Sequence, residues 1–192
     1  ALGEMKESQF AERIEPLLKD NHYYVRSWAA TALGEMHAIQ YSDSLGCLLD
    51  DSDENVRASA MMAIGKMGAT KCAERIVPFL KDTSAYARGA AASALGSLEA
   101  IEHAPDILPL LSDPDPRVLC GALYAFGKMK AVAYKGDVAR CLKSPFDNVR
   151  SAAVSALGEM KAMEYAKDIA PLLRESSPVS GRAASALGDM HA

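Results

Sequence analysis

Seven glycines, Gly3, Gly34, Gly65, Gly96, Gly127, Gly158 and Gly188, stand 31 residues apart five times and then 30 apart once. A fixed period of this length constrains a chain more than any single motif, because each repeat is a supersecondary unit that buries its apolar face only by stacking on a neighbour. The surroundings repeat with the glycine: A-L-G-E-M is spelled at residues 1–5, 32–36 and 156–160. Cut at the period, the chain is a partial repeat 1–7 followed by repeats 8–38, 39–69, 70–100, 101–131, 132–162 and 163–192, read together as a single domain 1–192. It opens inside a repeat and closes on an ordinary repeat ending, G-D-M-H-A, so a piece of a longer array is expected.

Each repeat reads as a helical hairpin. The first half places core residues at a helical spacing, as in His103, Ile107, Leu110 and Leu111, or Tyr165, Ile169, Leu172 and Leu173. The second half does the same with Val56, Ala60, Ala63, Ile64 and Met67. Between them lie turn and cap residues such as Asp51-Ser52-Asp53, Asp82-Thr83-Ser84 and Asp113-Pro114-Asp115-Pro116. Alanine recurs in the second helix at Ala29, Ala60, Ala91, Ala122, Ala153 and Ala183, and again at Ala32, Ala63, Ala94, Ala125, Ala156 and Ala186, which lets helices approach closely. The glycine after it costs about 1 kcal/mol against alanine, so it answers either to close backbone packing or to a bend. Pro16, Pro78, Pro109 and Pro171 recur in the first helix, where a kink is expected.

The pattern D-x-x-x-x-V-R-x-x-A-A-x-A-L-G-x-M, running from Asp20 through Val25, Arg26, Ala29, Ala30 and Gly34 to Met36, resembles the short HEAT-like repeats first noted in phycobilisome lyases. The resemblance covers the whole chain and implies an all-α, right-handed α-solenoid of about six two-helix repeats, used mostly as an interaction scaffold. It also implies a ladder between neighbouring repeats built from the turn aspartate and the arginine after it. Asp20 with Arg26, Asp51 with Arg57 and Asp82 with Arg88 keep that pattern, while Leu119 stands at an arginine position and Ser144 at an aspartate position. The sixth repeat departs furthest, with Glu175, Ser180 and a one-residue deletion in its turn, so the ladder is expected to be strongest in the first three repeats.

A formal net charge of -4 over 192 residues gives no overall pull toward nucleic acid or an anionic membrane. Apolar runs fall far short of the roughly 20 residues that a membrane span requires. Residues 1–10 lack the basic start and apolar stretch of a secretory signal, and Cys47, Cys72, Cys120 and Cys141 form no C-x-x-C pair, so a cytoplasmic chain with reduced thiols is expected. The HEAT-like hydroxylases bind iron through His-Glu dyads, but His22, His37, His103 and His191 are followed by Tyr or Ala. His103 takes the core position held elsewhere by Tyr41, Cys72, Tyr134 and Tyr165 and reads as packed; His37 and His191 lie at helix ends. Cys120 lies near the presumed open face with no histidine fixed beside it. No catalytic residue, metal site, phosphate loop or cofactor is expected.

If second helices line an inner curve, as the resemblance implies, one variable stripe per repeat decides the partner. The first four stripes contain Tyr24, Trp28, Met62, Tyr86 and Tyr124, flanked by Lys66, Arg117 and Lys128. Tyr, Trp and Arg anchor protein interfaces, so a noncatalytic protein-interaction scaffold is the leading reading, against aromatics that merely cover neighbouring helices. A nucleic-acid groove is the alternative, weakened by Glu35, Glu159 and Asp189 on the same stripes. A subunit of a bilin lyase-like enzyme is the other, resting on the resemblance alone. End-to-end self-association is a further expectation for stackable repeats.

Overall fold

The computed structural model describes residues 10–175 and 177–191, and among these no strand occurs. The repeats group into two compact units, one ending at Ala100 and the other beginning at Ile101, a division that falls on a repeat boundary. In the first unit the second helices are α1 (Tyr23–Glu35), α2 (Glu54–Met67) and α3 (Ala85–Ser97), with α2 packed between the other two. In the second unit they are α4 (Pro116–Lys128), α5 (Asp147–Glu159) and α6 (Ser177–His191), with α5 between its neighbours. The expected solenoid-type helical repeat is therefore present in each unit. The core of the hairpins is the set of residues the periodicity selects: Leu45, Ile76, Ile107, Val138 and Ile169 from the first limbs, and Leu33, Ile64, Leu95, Phe126 and Leu157 from the second, are all at zero exposure.

The first limbs are not plain α-helices. Each ends in a 3-10 turn, whether or not it carries proline. Without proline the α segment is six residues long (Ser42–Cys47, Lys135–Arg140) and the closing turn three (Leu48–Asp50, Cys141–Lys143). With proline the α segment shrinks to four (Ala73–Ile76, Ala104–Ile107, Ala166–Ile169) and the turn grows to five (Val77–Lys81, Leu108–Ser112, Ala170–Arg174). Proline has no N–H to give to the α ladder, so the change of helix type moves to the residue before it. The expected kink is thus a shift in an existing transition, not a break that proline creates.

Second helices end in the same backbone device. Ala38 N donates to Leu33 O (3.1 Å) and His37 N to Gly34 O (3.0 Å), the paired bonds of a Schellman cap, and the pairs at Ala69 and Gly68, Ala100 and Glu99, Ala131 and Lys130, and Ala162 and Lys161 repeat it. The residue at its left-handed position is His37 (φ 49), Gly68 (φ 69), Glu99 (φ 53), Lys130 (φ 48) or Lys161 (φ 51). Of these only Gly68, which has no Cβ, takes that conformation without a steric cost. The recurring glycine of A-L-G-x-M therefore lies inside the helix, one turn before the strained residue, and serves another purpose.

That purpose is contact. A Cβ built on Gly34 would lie 2.8 Å from Ala63 Cα, one on Gly65 3.0 Å from Ala94 Cα, one on Gly127 3.1 Å from Ala156 Cα and one on Gly158 3.0 Å from Ala186 Cβ. Glycine in one repeat and alanine in the next make a seam along which second helices touch backbone to backbone. Close packing, not bending, accounts for the glycine.

On the turn side, arginines tie repeats together. Arg26 Nη1 donates to Asp20 O (2.8 Å), closing its own turn, while Nε and Nη2 donate to Asp51 Oδ2 (2.7 Å) and Oδ1 (2.8 Å) one repeat on. Arg57 repeats this with Asp51 O (2.9 Å) and both oxygens of Asp82 (2.9 Å each). The aspartate also accepts its own turn amide, Asp53 N on Asp51 (3.0 Å) and Ser84 N on Asp82 (2.8 Å). Burial pushes these carboxyls up, but the guanidinium and amide hydrogen bonds outweigh it and hold Asp51 and Asp82 below the usual carboxylate range. In the second unit Arg150 Nε and Nη2 both reach Glu175 Oε2, at 3.0 and 2.6 Å. The sixth repeat, expected to depart from the ladder, supplies a rung through Glu175.

Candidate interaction face

The stripe residues chosen from the sequence divide between the units: Tyr24, Trp28, Met62, Lys66 and Tyr86 in the first, and Arg117, Tyr124 and Lys128 in the second. In the first unit the seam presses α1 against α2, and their outward stripe carries Trp28 at 71% exposure, Tyr24 at 63% and Met62 at 41%. Tyr24 stacks on Tyr23 with ring centroids 4.2 Å apart, which braces it upright on the first turn of α1. Trp28 borders a hollow of about 520 Å³ with Thr31, Ala32, Glu35, Met36 and His37. Tyr86 is half-buried. In the second unit Tyr124 is 42% exposed, with Lys128 Nζ 5.6 Å from its ring centroid.

The basic flank is electrically quieter than its sequence implies. Lys66 Nζ lies 2.5 Å from Glu35 Oε1 on the preceding repeat, and Lys128 Nζ 3.5 Å from Glu159 Oε2 on the following one. Arg117 Nη2 lies 2.7 Å from Asp115 Oδ2, the cap residue of its own helix. Each cation has a local carboxylate, so none offers a bare charge to a phosphate backbone.

The groups weighed for chemistry are mostly packed. His103 is buried, with Nδ1 3.3 Å from Asp106 Oδ2. Burial pushes the thiols of Cys72, Cys120 and Cys141 up, away from the thiolate that a nucleophile or metal ligand needs. His37 holds the left-handed cap position at the end of α1. Among the described residues no group of three or more His, Cys, Asp or Glu is placed to hold a metal ion, and no helix is long and apolar enough to cross a membrane. Arg182, on a stripe position of α6 but not among the residues chosen from the sequence, borders two hollows.

Residues 42–105 and 74–139 match the family model of HEAT repeats, together spanning just over half of the 192 residues. Among solved structures, the chain is similar to the complex of CpcE and CpcF of phycocyanin lyase from Nostoc sp. PCC7120, with 23% identity and a TM-score of 0.76 over 93% of this chain and 75% of that one. It is also similar to an engineered protein, with 19% identity and a TM-score of 0.69 over 94% of this chain and 96% of that one. A designed armadillo repeat protein aligns at 18% identity and a TM-score of 0.58 over 93% of this chain and 98% of that one. A search of the curated proteins finds no match. At these identities the structural likeness is one of fold, and it agrees with the helical hairpins already described. The chain belongs to the HEAT-repeat family.

Proposed function

We propose that this chain is a noncatalytic scaffold that binds a protein partner through the face formed by its second helices. The observation that carries the reading is Trp28, 71% exposed beside the exposed Tyr24 and Met62 on the outward stripe of α1 and α2. An aromatic that served only to cover a neighbouring helix would be buried there. Burying such an indole in a partner supplies on the order of 4 kcal/mol before the cost of association. The neutralised cations at Lys66, Lys128 and Arg117 favour a protein over nucleic acid. The test is capture of a partner by the wild type, Trp28→Ala and Tyr124→Ala, with circular dichroism as a check on folding. Weaker capture by folded variants is expected; unchanged capture by both would refute the assignment of Tyr24, Trp28, Met62, Lys66, Tyr86, Arg117, Tyr124 and Lys128 as binding residues.

A subunit of a bilin lyase-like enzyme is the second reading, prompted by the likeness in fold to the CpcE and CpcF complex. A bilin chromophore incubated with the chain, alone and with a candidate partner subunit, would shift its absorbance if that reading holds. End-to-end self-association is a third reading, suggested by the glycine-to-alanine seam, which fits one repeat against the next. Light scattering over a concentration series that showed only monomer would refute it.

A further inference from the structure

Arg182 differs from the other cations on the second-helix stripes. Lys66, Lys128 and Arg117 each have a carboxylate at hand, whereas Arg182, exposed on α6, has neither an ion pair nor a hydrogen bond among the described residues. It stands where two hollows of the second unit meet. One, of about 270 Å³, is walled by Tyr124 and Lys128; the other, of about 430 Å³, by Lys161, Ser185 and Asp189; Ser155, Glu159 and Arg182 border both. Their lining includes Gly127 and Ala156 from the close seam between α4 and α5, and Gly158 and Ala186 from that between α5 and α6, so a ligand can approach the helix backbone. Glu159 already faces Lys128 at 3.5 Å. Arg182 and Lys161 then face the single uncompensated acid Asp189, and the groove is cationic on balance.

We propose that this groove receives an acidic side chain of the protein partner, its carboxylate held by the guanidinium fork of Arg182, with an adjoining apolar residue against Tyr124. The proposal rests on the interaction-scaffold reading and names the chemistry of the partner at this unit. A guanidinium presents two parallel donors to a carboxylate, a geometry that an ammonium does not reproduce. Asp189 limits the groove to one acid at a time by repelling a second.

The test uses the full chain and two fluorescein-labelled peptides, Leu-Glu-Tyr-Glu-Leu and the same peptide with glutamine in place of glutamate, titrated by fluorescence anisotropy at low salt. The glutamate peptide should bind about tenfold more tightly, Arg182→Gln should abolish the difference, and Arg182→Lys should retain only part of it. Equal affinity for the two peptides, binding of neither, or a preference that survives Arg182→Gln would overturn the proposal. Displacement of the peptide by inorganic phosphate at equal concentration would overturn it as well, since the groove would then be a general anion site. Trp28→Ala leaves the peptide preference unchanged, so failure here is distinct from failure of the aromatic face in partner capture.

Discussion

The two units solve the same stacking problem with different means on the turn side and the same means in the seam. In the first unit, Arg26 and Arg57 each grip both oxygens of an aspartate one repeat on. In the second, Leu119 and Ser144 hold the corresponding positions of one junction, and at the next Arg150 reaches a single oxygen of Glu175 while sharing Nη2 with Asp147. The glycine-to-alanine approach is nevertheless as tight at Gly127 and Gly158 as at Gly65. The seam therefore sets the spacing of repeats, and the ladder adds stability that one unit has in full and the other only in part.

Removing a rung from the first unit should have the largest effect. Asp82→Ala leaves the largely buried Arg57 fork without its acceptor and Ser84 N without its cap, and should cost about 3 kcal/mol in urea unfolding. A loss under about 1 kcal/mol would remove the contrast between the units.

Acid should produce a related loss without mutation. Carboxyls held below their ordinary range stabilise the fold fully above the unfolded value, near pH 4, and that stabilisation disappears as pH falls through the lower folded value. The urea midpoint should fall on acidification below about pH 4, and the double change Asp51→Asn with Asp82→Asn should flatten that fall. A slope left intact by the double change would place the acid sensitivity elsewhere.

Next comes the seam. Gly34→Ala sets a methyl against the backbone of Ala63 and should cost about 2 kcal/mol, whereas Gly188→Ala has open space and should gain about 1 kcal/mol from helix propensity. Equal effects of the two changes would contradict the seam as the spacer. The smallest expected effect lies at the caps: Lys130→Gly should stabilise, and Gly68→Ala destabilise, each by about 1 kcal/mol in thermal unfolding.

Much of this was legible because a 31-residue period exposes every position several times over. The hairpin, the core at Ile64 and Leu157, and the packed state of His103 followed from that register. The Schellman caps did not, because glycine occupies the left-handed position only at Gly68 and His37, Glu99, Lys130 and Lys161 conceal it elsewhere. The rung at Glu175 was hidden because glutamate and a one-residue deletion after it break the aspartate pattern, although the carboxylate still reaches Arg150. At the candidate face, Trp28 and Tyr24 were readable as variable aromatics on the outward stripe. The ion pairs that quiet Lys66 and Lys128 join residues one repeat apart, and no spacing within a repeat signals them. Arg182 stands on a stripe position but was not singled out there for the complementary reason: what marks it is the absence of a counter-ion among the described residues, which only geometry displays.

Site-specific photo-crosslinking tests the interaction face most directly. Benzoylphenylalanine placed at Met62, on the outward stripe of α2, and at Gln40, on a first limb, samples two exposed surfaces of one unit. Cross-links to the partner from position 62, absent from position 40 and lost on adding Trp28→Ala, are the expected result. Equal cross-linking from both positions, or cross-linking from position 40 alone, would contradict binding through the second-helix face.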